Sequence, residues 1–259
     1  PIYVGVSIQT VKKELRFAIL GPCWEYDLRS AAATWRAGYI DRYLVGRRKA
    51  NTPNSAFPSL LAYLADKDAW MKVVCQDVFQ AANCSADQKR RVKIAVQALG
   101  FGARKIRDPI LMPQENGQLK LQAAAILNAF GDDSECSRFL DSKLVMEFSD
   151  EMNRLGGFIC KDALNSDPLL KLIPELSSNS GSISKNKLLA YLFQHAETQV
   201  MDIVRAGISQ VGQGRVLASI HDCVITRDRI HPDLLASIMS NVHKTTGNSR
   251  WEMVETHHP

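Results

Sequence analysis

Partial alternation of apolar and polar positions predicts strands in the first thirty residues. Residues 2–9 and 14–20 alternate in part, and we predict two strands there, which a hairpin would join. Residues 24–28 predict a third, short strand. This strand runs into the alanine-rich stretch 30–35, and alanine favours helix. Asp27 is therefore expected at the end of a strand, next to a helix start.

A second pair of strands is predicted around the polar pair His221 and Asp222. Residues 215–220 and 223–226 are mostly apolar and flank this pair. Two apolar strands that are separated by two polar residues predict a tight hairpin. A last strand is predicted near 251–254.

Helical periodicity dominates the middle of the chain. Ser85 predicts the cap of a helix that runs from about Asp87 to Leu99 and ends at Gly100–Gly102. The remaining helices are expected within 59–79, 185–209 and 231–243, with loop and short helix in 37–58.

Glycine and serine predict the breaks between these helices. Gly131 and the pair at 156–157 are expected to divide residues 118–176 into separate helical segments. The serine-rich stretch 177–182 predicts a flexible linker.

Composition and charge are those of a reduced, water-soluble protein. Hydrophobic residues make up 46% of the 259 residues, and the net charge of +5 favours nucleic-acid binding only weakly. We expect no membrane span, because the sequence has no run of eighteen apolar residues, and no signal peptide at Pro1–Val4. The six cysteines form no Cys-x-x-Cys pair, which argues against zinc and favours the cytoplasm.

Asp27 and Asp222 are the first candidates for chemistry. Both follow apolar strands, so one sheet could hold them side by side. Two divalent metal ions that clamp an attacking hydroxyl and a leaving pyrophosphate need such a pair of carboxylates. The alternative is that each aspartate is an ordinary surface turn residue.

A basic helix is the second candidate. Residues 88–107 carry seven positive side chains and no acidic one. Lys89, Lys93 and Gln97 are four residues apart, so they share one helix face, and Phe101 follows four later. This face could hold a triphosphate and stack a base. A solvated basic face is the alternative.

Four segments together resemble the family A DNA polymerases and the phage-type single-subunit RNA polymerases. Residues 26–31 resemble motif A, and residues 87–93 with Phe101-Gly102 resemble motif B, with the required interval of eight between Lys93 and Phe101. Residues 193–197 occupy the place of the helix before motif C, and 220–223 resemble motif C. The order matches the family, and the resemblance covers residues 24 to 226.

The resemblance implies a role for each matching residue. Asp27 and Asp222 would hold two Mg²⁺ or Mn²⁺ ions, with help from the Leu28 carbonyl. The nucleotide would be bound by Lys89, Arg90, Lys93, Gln97 and Phe101. The primer and template would be contacted by Gln194, His195 and His221.

Four positions bear on which reaction is expected. Lys89 replaces an arginine of the family, Phe101 a tyrosine, and Cys223 the glutamate of the DNA polymerases that is less essential. Ala32 stands five residues after Asp27, where the DNA polymerases have a glutamate that blocks the ribose 2′-hydroxyl. Ala32 therefore favours ribonucleotides, whereas Phe101 argues for relaxed sugar selection.

The expected fold is α+β: an antiparallel palm sheet with helices, a helical fingers subdomain, and no thumb. Palm residues would be 1–36 and 181–259, and fingers residues 37–180. With only 26 residues before Asp27, we expect a primase-like enzyme or a catalytic fragment.

The expected partners are a nucleic-acid template with primer or product, and NTPs or dNTPs. Further domains or subunits would supply processivity, in a bacterial, plasmid or phage-type setting. Two alternatives stay open: a DNA polymerase or reverse transcriptase, and a non-catalytic nucleic-acid-binding pseudo-polymerase.

Overall fold

The computed structural model describes residues 11, 13–45, 52–103, 105, 111–113, 119–121, 125–178, 181–210 and 216–259. Among these, the strands are β1 (Cys23–Leu28), β2 (Leu111–Pro113), β3 (Leu119–Leu121), β4 (Val216–Ile220), β5 (Cys223–Thr226) and β6 (Met253–His258). The helices are α1 (Lys13–Leu20), α2 (Ala31–Ala37), α3 (Ile40–Val45), α4 (Pro53–Ala56), α5 (Pro58–Ala65), α6 (Lys67–Phe79), α7 (Ala86–Gly100), α8 (Ala125–Phe130), α9 (Asp133–Asp141), α10 (Lys143–Ser166), α11 (Lys185–Gln210) and α12 (Pro232–Thr246). Short 3₁₀ turns follow α10 at Pro168–Leu172 and Pro174–Leu176.

The chain divides into two compact units. One consists of Pro1–Gly38 and Tyr191–Pro259, and the other of Tyr39–Ala190. The first, which we call the sheet unit, contains β1 and β4–β6, and the second, the helical unit, contains α3 to α10. The predicted α+β class, with an antiparallel sheet and a helical part, is confirmed.

The strands β4, β5, β1 and β6 lie in that order in an antiparallel sheet. β1 is in the interior, with Asp27 opposite Cys223 of β5 and Val254 of β6. Side chains alternate between the faces of a strand, so Cys23, Glu25 and Asp27 share one face of the sheet. The hairpin predicted around His221 and Asp222 is confirmed as β4–β5.

The strand predicted at 14–20 is wrong, because these residues belong to helix α1. Phe17 and Leu20 pack against the buried cluster of the sheet, whereas Leu15 and Ile19 are 58% and 71% exposed. The alternating positions therefore mix partly buried and exposed side chains, and Phe17 and Leu20, which are three residues apart, have helical spacing. The strand predicted at 2–9 lies outside the described residues.

The helical unit is centred on aromatic packing. Tyr63 of α5, Trp70 of α6 and Phe148 of α10 contact one another, with ring centroids 5.0–5.4 Å apart. The buried carboxylate of Glu151 accepts hydrogen bonds from the backbone N–H groups of Ser59 and Leu60, at 3.1 and 2.7 Å. These bonds satisfy donors in the first turn of α5.

The helix break predicted at residues 156–157 is wrong, because α10 continues through both glycines. A Cβ built on Gly156 would lie 3.0 Å from Leu189 Cδ1, so the missing side chain allows α11 to approach closely. The break at Gly131 is confirmed, with φ of +68° between α8 and α9.

The two ends of the linker predicted at 177–182 are joined to each other by hydrogen bonds. Ser177 forms a β-bridge with Ile183, and the Ser178 hydroxyl donates to the Ser182 carbonyl at 2.9 Å. The prediction of a linker is wrong for these ends, because serine side chains can close a turn as readily as they can remain solvated.

No helix of the described residues is long and apolar enough to cross a membrane.

Candidate active site

Asp27 is an exposed residue near the end of β1, which is otherwise largely buried. Cys23 and Glu25, on the same face of β1, are buried, whereas Asp27 is exposed. Leu28, the last residue of the strand, is buried on the opposite face. The strand therefore anchors Asp27 through its apolar neighbours and leaves the carboxylate accessible.

Asp222 lies in the tight turn between β4 and β5. The Leu28 backbone N–H donates to the Asp222 carbonyl oxygen at 2.9 Å, so the turn is fixed to the end of β1. Asp27 pairs with Cys223, the residue directly after Asp222. The two aspartates therefore stand at the same edge of the sheet, Asp27 near the end of β1 and Asp222 directly before the adjacent strand β5.

His221 gives this turn its shape. Its φ is +49°, in the left-handed region that non-glycine residues seldom adopt. The side chain is exposed, and Asp222 beside it is half-buried. A conformation of this kind costs about 1–2 kcal/mol, which the surrounding hairpin must supply.

The donors at this edge suit a hard divalent cation. Mg²⁺ prefers oxygen ligands, and it often binds one or two carboxylates together with the phosphates of a substrate. Asp27, Asp222 and the Leu28 carbonyl offer donors of this type. Within the described parts of the chain, no three His, Cys, Asp or Glu side chains are grouped closely enough to hold a metal by themselves.

Glu197 is a third carboxylate near this edge, and it is not among the predicted site residues. Burial, together with the negative charges of Asp222 and Asp27, raises the pKa of Glu197, and His221 opposes the shift. Glu197 lies on α11 four residues after Phe193 and four before Met201, both of which are buried. An acidic residue on an apolar helix stripe was the available signal.

The buried Glu25, two residues before Asp27 on the same face of β1, is the centre of an ion network. The Glu25 carboxylate accepts bonds from Lys13 Nζ at 2.8 Å and pairs with His258 Nε2 at 2.9 Å. Burial opposes ionisation, but these two partners outweigh it and lower the pKa of Glu25. The stability from this network is therefore present above the pKa of an unfolded glutamate and is lost as pH falls through the lowered value.

Cys223, which stands where the resemblance would place a glutamate, is part of the same buried face. Burial, followed by the charges of Glu25, Asp27 and Asp222, raises the pKa of the Cys223 thiol. The thiol is therefore neutral at physiological pH and offers no anionic ligand at this edge.

Ala32 lies in the first turn of α2, directly after the Asp27 strand. It is half-buried, whereas the neighbouring residues Ala31, Ala33 and Thr34 are buried. The Ala32 methyl group therefore faces the more open side of the helix.

Helix α7 begins as predicted. Ser85 Oγ accepts from the Gln88 backbone N–H at 3.2 Å, and Gln88 Oε1 accepts from the Ser85 N–H at 2.8 Å, which completes a capping box. Of the predicted nucleotide-binding residues, Lys89, Arg90 and Lys93 line one cleft of the helical unit.

The other predicted contacts are exposed on their helices. Gln97 is exposed on α7 and Phe101 is 51% exposed at its end, and neither lines that cleft. Gln194 and His195 are exposed on α11. Their predicted contacts with nucleic acid stay predictions.

Comparison with known proteins leaves the family open. No family model matches the sequence, and no curated protein matches it. Among the solved structures that are similar is the "POL domain of Pol1 from M. smegmatis complex with DNA primer-template and dNTP", with 12% identity and a TM-score of 0.49 over 92% of this chain. The chain spans 39% of the length of that protein. Similarity at this level does not establish a shared fold, so the functional assignment rests on the residues of this chain.

Proposed function

We propose that this protein is a template-directed nucleotidyltransferase that extends a nucleic-acid strand. The observation that supports this most is the pairing of β1 with β5, which brings Asp27 and Asp222 to one edge of the sheet. The hydrogen bond from the Leu28 N–H to the Asp222 carbonyl fixes their backbones together. The order of the four polymerase-like segments in the sequence is the reason for assigning nucleotidyl transfer to this pair of aspartates.

Each group has a defined task in the proposed reaction. Two bound Mg²⁺ or Mn²⁺ ions would stabilise the charge on the attacking and leaving oxygens. Asp27, Asp222 and the Leu28 carbonyl would hold these ions. Lys89 and Lys93 would bind the triphosphate of the incoming nucleotide through charge-assisted hydrogen bonds.

The residues proposed to contact nucleic acid would position the primer and template and would take no part in the chemical step. Gln194 and His195 would contact the primer–template, and His221 would support the primer end. Phe101 would pack beneath the new base pair. None of these four side chains has to transfer a proton for these tasks.

Ala32 supports synthesis from ribonucleotides with relaxed sugar selection. Its methyl group is short, and its side of α2 is half-open, so a ribose 2′-hydroxyl would meet no carboxylate there. The proposed activity is therefore RNA-synthesising or primase-like. A DNA polymerase or reverse transcriptase is the alternative, which the lost tyrosine hydroxyl at Phe101 favours.

A primer-extension assay with rNTPs or dNTPs, on DNA and RNA templates with Mg²⁺ or Mn²⁺, tests the proposal. Asp222→Asn should abolish extension, because it removes one of the two metal-binding charges. Asp228→Asn is the matched control, since Asp228 is exposed shortly after β5 and has no proposed role. Extension by the control should equal that of the wild type. Equal extension by Asp222→Asn, or none by the wild type, would refute the proposal.

A further inference from the structure

The helical unit contains a cleft of about 940 Å³ that is lined by the N-terminal halves of α6 and α7. Lys67 and Lys72 line it from α6, and Lys89, Arg90 and Lys93 line it from α7. Of these residues, only those of α7 belong to the segment that resembles motif B. The α6 lysines are 17 or more positions earlier in the sequence, and only folding brings them to this cleft.

Positive charge dominates this cleft. Five cationic side chains line it with two acidic ones, Asp66 and Asp68, which leaves an excess of three positive charges. Asp66 is already engaged, because its Oδ1 accepts from the Ala69 backbone N–H at 2.9 Å as the cap of α6. Arg90 is paired with Asp87 at 2.7 Å, and counting this carboxylate leaves an excess of two positive charges, which the lysines supply.

The helix starts add to this field. The first residues of both α6 and α7 line the cleft, and a helix N-terminus carries a partial positive charge. The donors offered to a ligand are lysine ammonium groups, which suit several phosphate oxygens at once.

The size of the cleft favours a compact ligand. Its volume lies within the range of small-molecule sites, about 300–1,000 Å³. An extended strand would need a groove that continues along the surface, whereas these cations come from two short helical segments. A ligand that concentrates three or four negative charges in a small volume matches the cleft, and a polyphosphate has this chemistry.

We propose that Lys67 and Lys72 complete a polyphosphate-binding cleft with Lys89, Arg90 and Lys93. Its ligand is the polyphosphate of a nucleotide, and this last assignment rests on the nucleotidyl transfer proposed above. Lys67 and Lys72 are thus further substrate-binding residues, contributed by a helix outside the motif B segment.

Isothermal titration of the full chain with tripolyphosphate, without divalent metal, tests the cleft directly. Lys72→Gln and Lys67→Gln should each raise the Kd about fivefold, and the double variant should raise it by at least about tenfold. Lys72→Arg should bind like the wild type, because it retains the charge. Lys171→Gln is the matched control, since Lys171 is an exposed lysine that does not line the cleft. Equal thermal midpoints would show that the variants remain folded.

Three results would overturn the proposal. The first is no binding of tripolyphosphate by the wild type, and the second is an equal effect of Lys171→Gln, which would show a general charge effect. The third is a Lys72-dependent affinity for a twelve-residue oligothymidylate without affinity for tripolyphosphate, which would make nucleic acid the occupant. Lys72-dependent tripolyphosphate binding in a protein that extends no primer would support the cleft and contradict only nucleotidyl transfer.

Discussion

At the residue scale, Asp27 and Asp222 are held by different means. Asp27 belongs to a regular strand whose buried neighbours fix its direction. Asp222 follows His221, whose φ of +49° turns the chain sharply at the end of β4. Backbone strain of this kind is concentrated at functional sites, where the surrounding structure enforces it. The hairpin and the Leu28 N–H together supply that enforcement here.

Ala32 makes the sharpest single-residue prediction. Ala32→Glu should lower the use of rNTPs about 100-fold or more relative to dNTPs, because the new carboxylate would overlap a 2′-hydroxyl. Parallel extension assays with rNTPs and dNTPs measure this ratio. Ala32→Ser, which adds only a small hydroxyl, should leave the ratio near that of the wild type. A wild type that adds only dNTPs would refute the RNA-synthesising assignment.

Glu197 makes a prediction that does not depend on turnover. Its pKa is raised by burial and by Asp222 and Asp27, so its charge destabilises the metal-free fold as pH rises from the unfolded pKa through the folded one. Glu197→Gln should therefore raise the melting temperature at pH 7–8 without divalent metal. The gain should largely disappear near pH 3, about a unit below the pKa of an unfolded glutamate, where the wild-type carboxyl is mostly protonated in both states. An equal gain at both pH values would show that charge is not the cause.

At the element scale, local signals predicted some elements and misled for others. The start of α7 could be predicted from the local sequence, because Ser85 and Gln88, three residues apart, form a capping box. Helix α1 could not be recognised in this way, since Leu15 and Ile19 complete an alternation but remain exposed. The apolar face of a short helix is defined by what packs on it, and that is a tertiary property.

The two glycines of α10 offer a matched pair at this scale. Gly157→Ala should stabilise the protein by about 1 kcal/mol, since alanine favours helix and the new Cβ would have only Lys185 Nζ nearby, at 3.8 Å. Gly156→Ala should lose this gain, because its Cβ would press on Leu189 Cδ1. Urea unfolding of both variants measures the difference. Equal stabilisation by both would show that Gly156 is not required for close approach of α11.

At the scale of the whole molecule, the sequence-derived motifs fall in two separate units. Asp27, Asp222 and Gln194 belong to the sheet unit, and the α7 residues belong to the helical unit. The order of the motifs could be recognised from the sequence, because each has its own local pattern. The nearness of Glu197 to the two aspartates and the place of Lys67 and Lys72 in the cleft could not, because they depend on which elements pack together.

The most direct test of the central claim is the addition of a single nucleotide opposite each of the four template bases. We expect the complementary nucleotide to be added in every case, and Asp27→Asn and Asp222→Asn each to abolish addition while their thermal unfolding remains cooperative. Addition of the same nucleotide whatever the template base, or unimpaired addition by either folded variant, would contradict template-directed transfer at this pair of aspartates.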